Sequence, residues 1–124
     1  MTVIAVDFDG TLVENAWPKI GPDVPGAFEW LRKLQDAGAH LILWTMRDGV
    51  TLDQAVLYCV TRGITFWGVN RNPAQASWSQ SVKQFAHLYI DDNALGVPLV
   101  EPDRAKPYVD WSIAGPIALA AVNR

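Results

Sequence analysis

Residues 3–12 read Val3-Ile4-Ala5-Val6-Asp7-Phe8-Asp9-Gly10-Thr11-Leu12. Four consecutive apolar side chains leave no polar face, and the run is too short for a helix. It is therefore expected to be a strand buried on both faces, which requires a parallel sheet covered by helices. The run stops abruptly at Asp7, so two carboxylates and a turn-forming glycine stand at its carboxyl end.

The same punctuation recurs along the chain. Past a loop rich in Pro and Gly, Asp23 is a plausible helix N-cap; Val24, Ala27, Phe28, Leu31 and Leu34 share one helical face, and Gly38 ends it. A second apolar run, Leu41 to Trp44, ends at Thr45. A helix is expected from about Thr51, where Thr51-Leu52-Asp53-Gln54 resembles a capping box, to a stop at Gly63. A third run, Ile64 to Val69, enters the turn Asn70-Arg71-Asn72-Pro73, and a fourth, Leu88 to Ile90, ends at Asp91-Asp92-Asn93. Strands alternating with helices predict an α/β fold, a Rossmann-like doubly wound parallel sheet with helices on both faces and its site beyond the carboxyl ends of the strands. Beyond Glu101 the geometry stays open: Asp110 is placed to cap a last helix that Pro116 would kink.

Length and composition set the outer limits. A chain of 124 residues, half of them hydrophobic, is expected to form a single domain over residues 1–124 with a real core. Ten Lys and Arg against thirteen Asp and Glu give a net charge of −3, which excludes the basic footprint of a general nucleic-acid binder. The lone Cys59 has no disulfide partner within the chain, and no Cys/His cluster has zinc-ligand spacing. Asp7 and Asp9 interrupt any signal-peptide core, and no apolar stretch reaches the length of a membrane span, so the expectation is a cytoplasmic protein with no membrane partner.

The strand ends bring Asp7, Asp9, Thr45, Asp91 and Asp92 to one rim. Four carboxylates sharing a pocket raise one another's pKa, so the cluster calls for a cation, and oxygen donors without His or Cys favour a hard ion such as Mg²⁺. Such an ion keeps several waters and takes phosphate oxygens as further ligands; with a Thr hydroxyl and a nearby Lys this is the equipment of phosphoryl transfer.

These residues also resemble a known family. Asp7-Phe8-Asp9-Gly10-Thr11-Leu12 after an apolar strand is similar to the first signature of the haloacid dehalogenase-like superfamily of phosphohydrolases. Thr45 after Leu41-Ile42-Leu43-Trp44 resembles the second, Lys83 the third, and Tyr89-Ile90-Asp91-Asp92 the fourth, in the right order over residues 3–92. The resemblance implies roles. Asp7 would attack phosphorus and form an aspartyl-phosphate; Asp9 would protonate the leaving oxygen and then activate water. Thr45 and Lys83 would bind and neutralise the phosphoryl group. Mg²⁺ would be held by Asp7, the Asp9 backbone carbonyl and Asp92, with Asp91 in support or through water.

An Asp two residues after the nucleophile marks the phosphatases and mutases of that superfamily, whose dehalogenases lack it and whose P-type ATPases carry Thr there. The intervals from Asp7 to Thr45 and from Thr45 to Lys83 hold only core elements, which implies a small member without a cap domain. The expected activity is Mg²⁺-dependent hydrolysis of a phosphomonoester, either a small molecule or a phosphorylated macromolecular end, with nucleic acid entering only as substrate. An open site of this kind acts on large substrates or borrows a lid from a homo-oligomeric partner. The alternatives are a phosphate- and metal-binding module without useful turnover, and transfer of the phosphoryl group to a second alcohol.

Arg47, Asn70 and Arg71 follow strands and are candidates for substrate contact or for surface roles. Trp17, just after the first motif, is placed either to stack on a substrate ring or to pack its own loop. His40, His87 and Cys59 read as structural, and Trp30, Trp44 and Trp67 as core.

Overall fold

In a computed structural model describing residues 1–124, the chain runs β1 (Val3–Val6), α1 (Ala27–Asp36), β2 (His40–Leu43), α2 (Gly49–Val60), β3 (Gly68–Val69), a 3₁₀ turn (Gln75–Ser77), β4 (Leu88–Ile90), β5 (Leu99–Val100), β6 (Tyr108–Val109) and α3 (Trp111–Val122). Four strands form one parallel sheet in the order β3-β2-β1-β4, and β5 and β6 form an antiparallel pair. That order matches the 3-2-1-4 portion of Rossmann-like sheets, in which ligands bind where the strand order reverses. Here the reversal lies between β1 and β4.

The buried apolar run 3–6 becomes the central strand. Val3 to Val6 lie opposite His40 to Leu43 on one side, and Ile4 to Val6 lie opposite Leu88 to Ile90 on the other. Side chains alternate between two faces. Ile4, Val6, Leu41, Leu43 and Ile90 join the main core with buried residues of α1 (Ala27, Phe28, Leu31, Leu34), α2 (Ala55, Cys59) and α3 (Trp111, Ala114, Ala118). Val3, Ala5 and Ile42 face the other way into a small cluster with Ala86, bordered by Trp44 and Trp67.

All three helices therefore bury their apolar residues on one face, which corrects the expectation of helices on both. The connection from β3 to β4 would have to supply the second layer, and its side chains compete for the backbone instead. Asn72 and Gln75, both buried, bond the backbone of Phe85, Lys83, Ser81 and Ala74 and fold residues 70–87 into an irregular cover.

Boundaries shift for equally local reasons. Asp23 does not cap α1: Gly26 does, with φ +79°, while Asp23 accepts bonds from Tyr58 and Arg62. The helix after Thr45 begins at Gly49, and Thr51 donates its hydroxyl to the Asp48 carbonyl. Only Gly68–Val69 of the third run pairs as a strand. Asp110 does cap α3, accepting from the Ser112 N–H at 3.0 Å, and the helix continues through Pro116 to Val122. Gly115 lets α3 approach α1, since a Cβ there would meet the Trp30 ring at 2.2 Å. The fully buried Trp111 donates its indole N–H to the Thr11 carbonyl at 2.7 Å, tying α3 to the loop after β1. Trp30, Trp44 and Trp67, expected in the core, are half-buried at its border. No helix is long and apolar enough to cross a membrane.

Candidate active site at the carboxyl ends of β1 and β4

Parallel pairing fixes the carboxylates. The Asp7 N–H donates to the Ile90 carbonyl at 2.9 Å, so the ladder carries Asp7 level with the end of β4, where Asp91 and Asp92 follow. Carboxylate oxygens of Asp7, Asp91 and Asp92 lie within 4.8 Å of one another.

The loop after β1 is shaped to admit Asp92. The Phe8 carbonyl accepts from the N–H groups of Thr11, Leu12 and Val13, coiling the chain tightly. Gly10 sits at φ +83°, and a Cβ there would lie 2.2 Å from the Asp92 carboxylate. Glycine is required twice over, for the backbone angle and for the close approach. The buried Thr11 hydroxyl donates to Asp7 Oδ2 at 3.1 Å and accepts from the Asp92 N–H at 3.1 Å, bridging the two strand ends.

Crowding and burial set the electrostatics. Burial pushes the Asp7 carboxyl up to about 8, and the neighbouring Asp91 and Asp92 push it the same way. Asp92 is raised as well, first by burial. Three oxygen donors within 4.8 Å fit a hard divalent cation, whose ligands at about 2.1 Å span about 4.2 Å across an octahedron. The excess negative charge, the all-oxygen donor set and the spacing all suit Mg²⁺.

Asp9 stands apart from this cluster. Both its oxygens accept from Arg47, Oδ2 from Nε and Oδ1 from Nη2, each at 2.8 Å. Arg47 is only 2% exposed, and its other three guanidinium protons go to the carbonyls of Lys19, Pro18 and Thr51. A guanidinium has five donors, and all five are engaged. Arg47 as a substrate contact is thereby corrected: it is the internal partner of Asp9.

Thr45 lines the same cavity as Asp7 and Asp91, about 310 Å³ in volume. Its N–H donates to Asn70 Oδ1 at 2.8 Å, and its hydroxyl accepts from the Arg47 N–H at 3.1 Å. Asn70 holds this position from φ +52°, a left-handed conformation that Asn tolerates, and it lines the cavity with Trp44 and Met46. A second cavity of about 400 Å³ continues past Asp7, Asp9, Asp92, Asn15 and Trp17. Lys83 lines neither: it is exposed on the 70–87 cover, where its backbone carbonyl is held by Gln75, and it forms no ion pair with the acids. Arg71 is exposed as well.

His87 accepts the Val3 N–H on Nδ1 at 3.0 Å and His40 stacks on Trp67 with centroids 4.8 Å apart, both at the opposite end of the sheet. Burial pushes the Cys59 thiol up to about 12 and leaves it inert. A cavity of about 730 Å³ between residues 18–20 and α2 contains none of these acids.

Sequence patterns name Asn70 and Arg47 as candidate substrate contacts but not the partners they take inside the protein. Thr11 is visible only as part of a motif, and neither the Asn70 contact to the Thr45 N–H nor the Arg47 to Asp9 pairing has a local signal, because the partners lie far apart in the chain.

No family model matches the chain, and no curated protein matches it. Among solved structures, a conserved protein from Bacteroides thetaiotaomicron is similar at 38% identity with a TM-score of 0.80, over 97% of this chain and 91% of that one. With that identity along nearly its whole length, the chain belongs to the same family as this conserved Bacteroides protein.

Proposed function

We propose that the protein is a Mg²⁺-dependent phosphomonoester hydrolase of the haloacid dehalogenase-like kind, working through an aspartyl-phosphate. The observation that carries this reading is the Asp7, Asp91 and Asp92 cluster at the point where the strand order reverses, bridged by Thr11. Residues 8–44 and 46–82 contain core elements and loops only, which supports a member without a cap and an open site.

Asp7, Asp92 and Asp91, with the Asp9 carbonyl, would hold the cation, which when bound supplies positive charge that keeps Asp7 ionised and offsets the phosphate. An Asp7 oxygen then attacks phosphorus in line, and the P–O bond to the alcohol breaks. Thr45 and Asn70 line the cavity in which the phosphoryl oxygens would sit. The leaving oxygen takes a proton from Asp9, and Asp9 next removes one from the water that attacks the aspartyl-phosphate, so phosphate leaves and Asp7 is regenerated. Both Asp9 oxygens accept from Arg47, so for Asp9 to deliver a proton in the first half that pair has to open and Asp9 has to take up a proton from solvent, which it regains from the attacking water in the second half.

The same pair, with Lys83 outside the cavity, favours a second reading: a module that binds metal and phosphate without turnover. Phosphate release with Mg²⁺ across a panel of phosphomonoesters, with Asp7→Asn as control, separates the two. Release that depends on Asp7 establishes the hydrolase. Binding of Mg²⁺ and inorganic phosphate with no release on any ester establishes the module.

A further inference from the structure

The mouth of the site is built from side chains unlike its floor. Beneath lie Asp7, Asp9, Asp91 and Asp92; above them Trp17 is 62% exposed and Met46 is 100% exposed, and both line the same cavity of about 400 Å³. Single exposed apolar residues are ordinary. Here two large ones converge on one cavity, and the Trp17 ring has no stacking or cation partner within the protein.

The ring is also carried on a fixed support. Residues 14–22 close on themselves through the Glu14 N–H to the Pro22 carbonyl at 2.8 Å and the Lys19 N–H to the Ala16 carbonyl at 3.0 Å. The next two carbonyls after Trp17, those of Pro18 and Lys19, accept from the buried Arg47, at 3.2 and 2.8 Å. The guanidinium that holds Asp9 therefore also sets the backbone from which Trp17 projects. With the backbone fixed, only the two side-chain torsions of the ring are left to lose on stacking with a ligand, a small cost for a large contact area.

Charge narrows the ligand further. No lysine lines the cavity, and Arg47, the one cation there, has every donor engaged. A second or third phosphate, or a strand of nucleic acid, would find acid and no counter-charge. The amides of Asn15 and Asn93, on the same wall, offer donors and acceptors to the polar edge of a ring.

We infer that Trp17 and Met46 form a ring-binding subsite, and that the substrate is a phosphomonoester with a single phosphate whose alcohol half carries a planar ring. The inference rests on the hydrolase reading for the phosphate end and on the cavity wall for the ring. A nucleoside monophosphate and a simple aryl phosphate share this chemistry.

Two measurements test it. In the first, the indole N–H signal of Trp17, assigned by its loss in Trp17→Phe, is followed by ¹⁵N NMR while a free nucleoside, phenol or ribose is added without phosphate. The expected result is a saturable shift of Trp17 with at least one ring compound and none with ribose, while buried Trp111 stays in place; which ring moves it identifies the source. In the second, kcat/KM with Mg²⁺ is compared for a nucleoside 5′-monophosphate, phenyl phosphate, glycerol 3-phosphate and ribose 5-phosphate. The better ring ester is expected to exceed the ringless esters about tenfold or more, the scale of one stacking contact. Trp17→Ala should collapse that ratio mainly through KM, and Trp17→Phe should restore most of it.

An unmoved indole, a ratio near one, or a ratio that survives Trp17→Ala overturns the subsite. Preference for a 5′-phosphorylated oligonucleotide over the mononucleotide overturns the single-phosphate assignment. A Trp17 shift with no phosphate released from any ester would keep the ring subsite and remove the hydrolase reading, whereas release without ring preference would do the reverse.

Discussion

Asp7 and Asp9 are neighbours but one in the chain, yet the fold places them in opposite electrostatic regions. Asp7 lies among Asp91 and Asp92 with only the Thr11 hydroxyl as a donor from a neighbouring side chain, and burial pushes it up to about 8. Asp9 lines the same cavity but is paired with Arg47, which grips both its oxygens and is itself buried and fully bonded. Phe8, between them, points into the core, and the Arg47 guanidinium stands 5.0 Å from its ring centre. One carboxylate lacks a cation and the other has a built-in one. The paired Asp residues are therefore two different devices: an open half with no counter-charge of its own, and a closed half that braces the surrounding loops.

The sharpest break in this comparison comes at Asp7. Asp7→Asn keeps the shape and removes the proposed nucleophile, so phosphate release should fall by on the order of 10⁴-fold or more, down to the assay background. The folded state should survive, because the substitution also removes one of three crowded negative charges. Denaturation of the metal-free protein at pH 8 is expected to show the variant at least as stable as the parent. Turnover that persists in Asp7→Asn would end the covalent mechanism.

The closed half should respond in the reverse sense, through stability first. Arg47→Ala strands the Asp9 carboxylate and the carbonyls of Pro18, Lys19 and Thr51. Breaking a buried ion pair from one side costs about 3–5 kcal/mol, readable as a loss in urea denaturation. Arg47→Lys should recover only part of it, since an ammonium cannot reproduce a planar two-pronged contact. If Arg47→Ala unfolds no more easily than the parent, the pair is not the brace described here.

Filling the open half comes next in size. A cation that binds only the folded cluster stabilises it by about 2.7 kcal/mol at a hundred times its Kd, so Mg²⁺ should raise the thermal midpoint and EDTA should reverse the rise. Asp92→Asn should abolish the effect, and full activity in chelator would overturn the metal assignment. The same region sets the pH dependence. An ordinary aspartate titrates at 3.8, and Asp7 in the fold at about 8. Between those values the folded chain keeps a proton that the unfolded chain has released, so stability should fall as pH rises from about 4 to about 8. Mg²⁺ or Asp7→Asn should flatten that slope; a metal-free protein that gains stability over this interval would contradict the crowding.

How far the sequence reveals these regions follows from the range of the forces involved. The open half is legible, because apolar runs 3–6 and 88–90 announce parallel strands, and the acids that end them must then share a rim. The closed half is not. Whether Arg47 meets solvent, substrate or Asp9 depends on where α2 and residues 14–22 settle, and no local pattern encodes that. The missing second helix layer has the same origin: Asn72 and Gln75 fold residues 70–87 by side-chain bonds to backbone, a competition invisible to periodicity. Lys83 moves with that segment, which is why a residue matched by its position in chain order lies outside the cavity.

Thr11 joins the strand ends within the open half and gives the finest test. Its hydroxyl is fully buried, donating to Asp7 and accepting from the Asp92 N–H, while its carbonyl accepts from Trp111. Thr11→Val keeps the volume and the carbonyl bond but removes both hydroxyl contacts. A buried N–H left without an acceptor costs about 1–3 kcal/mol, so a stability loss within that range is expected from the Asp92 side. From the Asp7 side the variant removes a donor that steadies the charged form, so the slope of stability against pH should steepen in the metal-free protein. Thr11→Ser, which keeps the hydroxyl, should restore the slope even if it packs less well. If Thr11→Val lowers stability equally at every pH, the hydroxyl only ties the two loops together and has no part in the charge balance at Asp7.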